Sequence, residues 1–517
     1  MPRRIHLWGG VLLAIVLAIT EASAQRTCDL SRSRQVTSTQ SGGDRVSYVS
    51  RPRFECTDGT LIEADSSVTF EATSFSQLFG QVVFRDGQRE LHSDRAQYFS
   101  SVGRLQAQGS VRLIGLDDGS LITGDDLVLL QEGDQRPEDD MTVRGGRPHA
   151  RLSSGEDDTA IATGLETPDD AAQRDTPFEI DADLIHLVGD RLLEARGRVE
   201  ITRDDLLSYG DSVAFQQDVG LLTLYRNARI ISPDEESGDT LDLRADTITM
   251  ILPMDVMEEL NAVGRAHLLT DAVDIRGPTI RLLFTDEVLN RIVAATASLP
   301  NPPEGPSEVS EGASEASEEV PSGRLGEEGP RAVAEEFILT GDSIDVRLPG
   351  GELETVFAIG AARGVSGVRD SINTDDTPEL IRHDWIEGDT ITAMFVTSRP
   401  SSGGVLNTLE DPSEAAGERR LDRLVAQGEA RSFYRTTSDT GTGTGTASPT
   451  PDSGPLELNY VLGDEIRLFM QDGEVDRMEV DQARGAFFQP NGAPPGPPPP
   501  AVDTTAARPT NDRRRTP

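Results

Sequence analysis

Residues 104–130 read RLQAQGSVRLIGLDDGSLITGDDLVLL. Two short phrases lie in this stretch, and both return along the chain. The first, GDDLVLL at 124–130, comes back as GDSVAFQ at 210–216, GDSIDVRL at 341–348, GDTITAMF at 388–395 and GDEIRLFM at 463–470. In every copy the second and fourth residues after Asp are apolar: Leu127 and Leu129, Val213 and Phe215, Ile344 and Val346, Ile391 and Ala393, Ile466 and Leu468. Looser copies add Ala96 and Tyr98, Ile185 and Leu187, Ile248 and Met250, and Ile280 and Leu282. Side chains two apart on an extended chain share a face, so each copy reads as a strand with one buried side. The Gly-Asp pair is expected to make the turn ahead of that strand, because Gly tolerates positive φ and Asp bonds the nearby backbone.

The second phrase alternates with the first. AQGSVRL at 107–113, ARGRVEI at 195–201, AVGRAHL at 262–268 and AQGEARSF at 426–433 place a residue pair two and four after Gly. The pairs are Val111 and Leu113, Val199 and Ile201, Ala266 and Leu268, then Ala430 and Ser432. The residues between them, such as Arg112, Glu200, Thr249, Asp345 and Arg467, are polar and mark an outer face. Anchors at Gly80, Asp94, Gly109 and Asp125, then Asp183, Gly197 and Asp211, fall 14 to 16 residues apart. Regular short strands with turn signals predict an all-β solenoid, sandwich or jelly roll, not an α/β fold.

This alternation of LQAQGSVRL with GSLITGDDLVLL resembles the organic-solvent-tolerance A family (OstA/LptA-like), which includes periplasmic lipopolysaccharide-transport proteins. The resemblance covers 60–131 and 178–296 best, and 336–397 and 421–488 more loosely. It implies an open β-jelly roll, a β-taco trough of repeated antiparallel strands whose apolar inner face carries acyl chains. The lipid-binding face would then comprise Ala96, Tyr98, Val111, Leu113, Leu127, Leu129, Ile185, Leu187, Val199, Ile201, Val213, Phe215, Ile248, Met250, Ala266, Leu268, Ile280 and Leu282. Implied partners are lipopolysaccharide or a similar lipid, other jelly-roll transport proteins joined through edge strands, and an outer-membrane translocon. The chain does not resemble the translocon itself, since 6 Tyr and 2 Trp are too few for the aromatic girdles of a membrane barrel.

Bulk properties set the organisation. The 517 residues carry a net charge of -41, with 31 Pro and 49 Gly, so folded blocks should alternate with acidic stretches too polar to pack. The expected layout begins with a signal peptide at 1–24 and a strap at 25–59 holding Cys28 and Cys56. β blocks follow at 60–145, 178–298 and 336–488, parted by acidic linkers at 146–177 and 299–335. The third block carries insertions at 398–420 and 437–455, and 489–517 is a disordered Pro-rich tail. All 48 basic residues are Arg, but none form a stripe, and the acidic balance argues against nucleic acid as a partner.

Arg3 and Arg4 precede the apolar run LWGGVLLAIVLAI at 7–19, and ASA at 22–24 offers small residues for cleavage. The run is shorter than the roughly 20 residues that span a bilayer, so export to the periplasm is expected; a retained inner-membrane anchor is the alternative. In an oxidising compartment the lone pair Cys28 and Cys56 should form a disulfide. No metal or cofactor motif is found, and His92, His149, His186, His267 and His383 stand apart in sequence from zinc or triad spacings. Two rivals to a lipid carrier remain: a non-catalytic structural scaffold assembling through its edges, and a polysaccharide-cleaving enzyme using paired carboxylates.

Overall fold

The structure, a computed structural model, describes residues 27–41, 43–133, 136–152, 176–189, 191–233, 240–253, 256–286, 288–296, 329–334, 337–367, 381–397, 419–437, 456–471 and 474–488. The export segment and the Pro-rich tail lie outside these residues. Within them the architecture is all-β: antiparallel strands joined by tight turns and one-turn 3-10 segments. No helix among the described residues is long and apolar enough to cross a membrane. Contacts divide the chain into two units, Met1–Leu260 and Asn261–Pro517, the division falling inside the strand Glu259–Leu269.

In the first unit the long strands bend at their middles. Arg104–Gly115 shows the pattern. Its first half pairs with 95–99 and 126–130, its second half with 89–92 and 121–124, and the register shifts between the halves. All first-half partners belong to one wall, here wall A, and all second-half partners to wall B. The two walls meet along the line of bends, which gives a folded jelly-roll trough.

At the bend Gly109 and Ser110 have φ of +77° and +49°, two left-handed residues in succession. The next strand delivers Asp94 to this point: a Cβ on Gly109 would lie 2.4 Å from Asp94 Oδ2. Ser110 Oγ donates to the same Oδ2 at 3.3 Å. The same Asp-on-Gly contact recurs at Asp65 and Gly80, and at Asp183 and Gly197. There the backbone N–H of each Asp also donates to the Gly carbonyl, at 2.8 Å and 3.0 Å. Where Arg226 and Asn227 take the left-handed positions, Asn227 Nδ2 donates to both oxygens of Asp211 at 3.3 Å.

Alternate strands therefore supply an Asp corner and a Gly-x corner, and this is why two phrases alternate in the sequence. The expectation that Gly-Asp forms the turn ahead of a strand is corrected. Gly124-Asp125 and Gly210-Asp211 lie inside the strands Leu121–Leu130 and Leu206–Gln216, at the bend itself. The connections between strands come elsewhere; on wall A's rim they include the 3-10 turns Glu71–Thr73, Ser100–Val102 and Gln217–Val219.

The expected linkers also need correction, because strand pairing crosses both. Within 146–177, His149–Leu152 is a strand paired to Phe178–Asp181, while Asp140–Arg144 pairs with Leu184–Val188. In the second unit, Val288–Ala295 pairs with Ser343–Arg347, and Arg331–Ala334 lies within the expected 299–335 linker yet pairs with 274–276. Val288–Ala295 and Arg331–Ala334 flank the two halves of one strand, Asp274–Thr285, so they act as halves of a single bent strand. The acidic segment between them lies outside the described residues. The N-terminal strap is itself sheet: Cys28–Arg32 pairs with Arg53–Cys56, and Cys28 and Cys56, directly opposite each other, are disulfide-bonded.

The bend geometry predicts unequal costs for two glycine substitutions. Gly87 has φ +93° in a hairpin turn with nothing within 4 Å of an added Cβ, whereas Gly109 carries both positive φ and the Asp94 contact. Gly87→Ala should lose about 1 kcal/mol in urea unfolding, and Gly109→Ala at least about 2. Equal losses would show that the Asp contact contributes nothing.

Candidate functional site

The bends align the strands so that laterally paired residues form unbroken rows on the inner faces. In wall A of the first unit one row runs Val36, Val49, Ser67, Leu78, Ala96, Ala107, Leu127, Val143, Ile185, Ala195, Val213, Leu224, Ile248. A second row nearer the rim contains Tyr98, Leu105, Leu129, Met141, Leu187, Leu193, Phe215, Leu222 and Met250. Wall B answers with Leu30, Phe54, Ile62, Phe84, Leu91, Leu113, Ile122, Ala150, Ile180, Ile201, Ser208, Ile230 and Leu243. Ser208 is the break in it: its hydroxyl is fully buried without a hydrogen-bond partner.

The residues proposed from sequence divide between the two walls. Ala96, Tyr98, Leu127, Leu129, Ile185, Leu187, Val213, Phe215, Ile248 and Met250 lie on wall A, and Val111, Leu113, Val199 and Ile201 on wall B. In the second unit Ala266, Leu268, Ile280 and Leu282 are buried; Ile280 and Leu282 start rows through Ala294 and Ile344, and Ile292 and Val346. All of these are buried except Leu187, which is half-buried. The single apolar wall expected from period two is thus two walls. The other half of every bent strand was missed: Leu105 and Ala107 precede Gly109 as Val111 and Leu113 follow it. The same alternation runs ahead of each bend: it continues in step through the left-handed corners, as in Leu105, Ala107, Val111 and Leu113, and changes phase at the Asp corners, as between Leu91 and Ser93 and then Ala96 and Tyr98.

The two inner faces touch. Phe84 of wall B meets Tyr98 of wall A edge-on at 5.8 Å between ring centroids, and Phe178 meets Phe215 at 5.4 Å. Each fully buried Leu, Ile or Phe contributes roughly 1.5–3 kcal/mol, so the closed interior is a stable packed core in this state. At the N-terminal end the rows become polar or exposed. Ser38 and Ser47 share a hydrogen bond of 2.9 Å, Thr69 and Ser76 one of 3.1 Å, and Leu30 and Val36 reach solvent.

Between the rims the first unit has a mouth. The connection from Leu130 to Asp140 leaves wall A and reaches wall B, where Arg89 forms an ion pair with Asp139; both side chains are about 15% exposed. Beneath this bridge is a cleft of about 290 Å³ lined by Leu113, Ile122 and Leu152 of wall B and by Met141 and Leu187 of wall A. Above it lies a polar chamber of about 620 Å³ lined by Thr60, Arg89, Gln131, Asp139 and Arg191 among others. Tyr98 reaches from the interior toward this chamber, its hydroxyl donating to Gln131 Oε1 at 3.2 Å.

The outer faces are charged and cross-linked. His92, His186 and His267 each stand beside a carboxylate, Glu90 at 2.8 Å, Asp140 at 3.1 Å and Asp274 at 3.0 Å, and His149 lies 3.4 Å from Asp181. They are strand residues in surface pairs rather than the isolated histidines read from the sequence. Asp242 accepts from Arg229 at 2.9 and 2.8 Å and from Arg244 Nε at 3.1 Å. Burial opposes its ionisation, but the bonds from the two guanidinium groups overcome this and hold its carboxyl well below the usual range.

No family model matches the chain, and no curated protein matches it. Among solved structures it is similar to LptH of Pseudomonas aeruginosa, described as the LptA-homologous periplasmic component of a lipopolysaccharide transport device. The identity is 20%, the match covers 25% of this chain and 90% of that one, and the TM-score is 0.21.

Asp242 yields a pH prediction. A carboxyl whose folded pKa is depressed adds stability that is fully present above its unfolded value near 3.8 and is lost as pH falls through the folded value. Wild type should exceed Asp242→Asn by on the order of 1–2 kcal/mol at pH 6, the difference shrinking below about pH 4. A gap in urea unfolding that stays constant down to pH 3 would contradict the double guanidinium clamp.

Proposed function

We propose that the protein is a periplasmic lipid-binding jelly-roll carrier that assists movement of lipopolysaccharide, or a related amphiphile, toward the outer membrane. The observation that carries this reading is the run of inner rows, in one register along the first unit and apolar on both walls from about Leu78 onward except at Ser208. An acyl chain sliding along such rows exchanges one apolar contact for the next and never meets water, so no step along the path is costly. The family resemblance in the repeated phrases supports the same reading. The walls must part to admit a chain, and beside Leu187, half-buried at the mouth, an inner row comes within reach of solvent.

On this reading the protein performs no covalent chemistry. Its partners are the lipid, neighbouring jelly-roll proteins and an outer-membrane translocon. The bent strand formed by Cys28–Arg32 and Gln35–Ser41 would meet a neighbour, since each of its halves has a pairing partner on one side among the described residues. The disulfide would fasten this edge strand to the sheet while it is engaged. A second reading, a structural scaffold with a filled core, is favoured by the cross-wall contacts Phe84 with Tyr98 and Phe178 with Phe215.

Photo-crosslinking in the native envelope separates the two. Probes at the inward Leu129, Val213 and Ile248 should capture lipopolysaccharide, and probes at the outward Val128, Ala214 and Thr249 should not. A folded, exported chain that captures no lipid from either set would leave the scaffold reading in place.

A further inference from the structure

Thr60 is 1% exposed, and its hydroxyl has no hydrogen-bond partner, yet it lines the polar chamber at the mouth. A buried hydroxyl left unpaired costs roughly 1–3 kcal/mol, and the fold gains nothing in packing from Thr that Val would not supply. Its neighbours in the chamber show which ligand could use it. Asp58, Asp86, Glu132, Glu138 and Asp139 outnumber Arg89 and Arg191 in its lining; Arg89 is ion-paired with Asp139 and Asp86 and Arg191 with Glu138, and of these two guanidinium groups only Arg89 Nε is buried without a hydrogen bond. This field repels a phosphate or carboxylate. It suits hydroxyl groups, which donate to carboxylates and to Gln131 and can also accept from Thr60.

The chamber adjoins the cleft, and Gln88, Arg89 and Gly189 line both; the cleft joins the apolar Leu113, Ile122, Met141, Leu152, Leu187 and Leu192 to the polar Asp117, Asp118, Ser120 and Gln217. The cleft's 290 Å³ holds roughly ten methylene-sized groups at about 30 Å³ each. A polar chamber set on a cleft with these six apolar side chains offers a head group and the start of an acyl chain adjoining places.

We infer that the mouth of the first unit is a binding site for a lipid with an uncharged, hydroxyl-rich head group, a sugar or polyol, whose acyl chain enters the cleft beside Leu187. This rests on the carrier reading above and narrows the class of its ligand. The head group occupies the chamber against Thr60 and Gln131, and the chain lies between Leu113 and Ile122 of one wall and Met141 and Leu187 of the other. The Arg89–Asp139 pair closes over the junction. Because it joins two partly buried charges, a head group seated there excludes water and strengthens it.

Calorimetric titration of the full chain with dodecyl maltoside and with dodecanoate, each below its micelle concentration, tests the assignment. The wild-type chain should bind the maltoside at least fivefold more tightly than dodecanoate; the reverse order overturns the proposal without any variant. Thr60→Val should keep or raise the melting temperature, weaken maltoside binding by at least fivefold and leave dodecanoate unchanged. If both amphiphiles bind and neither responds to Thr60→Val, the mouth site is refuted while the carrier reading stands. If the folded chain binds neither, both fall together.

Discussion

The contact between an aspartate carboxylate and the left-handed glycine bend of the neighbouring strand is the constraint on which the rest of the fold depends. An ordinary strand cannot turn sharply without losing its ladder, because its backbone groups must find partners on both sides. In alternate strands two successive left-handed residues make the turn, as at Gly109 and Ser110, and the register with the Asp94 strand shifts there. The Asp of the adjacent strand fills the space a Cβ would take, as Asp94 does at Gly109. Because the contact repeats from strand to strand, each bend is held in line with the next.

Aligned bends divide every long strand into two halves and gather the halves into walls. Alternation within a half then sends one set of side chains inward and the other out to the arginine and carboxylate pairs of the surface. The aliphatic rows follow from this register, since a one-residue slip in any strand would place charges such as Arg112 or Glu200 among them. Bends and rims lie outside the hydrogen-bond ladders. Strands on either side of the acidic segments pair with each other, as Val288–Ala295 does with Ser343–Arg347.

The same packing bears on function. Wall-to-wall contacts such as Phe84 with Tyr98 fill the interior with the protein's own side chains, and in the proposed carrier an acyl chain would replace those contacts with its own. Exchange of one apolar contact for another is nearly neutral, whereas opening an empty groove to water would not be. The mouth is where this exchange is easiest. Leu187 is half-buried there, a cleft already exists beneath the Arg89–Asp139 bridge, and the polar chamber beside it can hold a head group in water's place.

The sequence by itself determined the strand class, the spacing and the inward positions after each bend. Period-two alternation past Asp125 or Gly109 is a local property, and residues such as Leu127, Leu129, Val111 and Leu113 are buried as it requires. It also marked the paired cysteines, which no other Cys could satisfy. Three things were decided only in three dimensions. The Gly-Asp phrase turned out to be a bend inside a strand, because Gly beside Asp reads alike in sequence whether the chain turns back or only turns a corner. The inner residues fell on two walls, because alternation along a strand does not show that the strand bends at its middle. The mouth, with Thr60, Arg89, Asp139 and Leu187, joins residues scattered from 58 to 217 that no motif links, and only the lateral pairing of many strands brings both rims together.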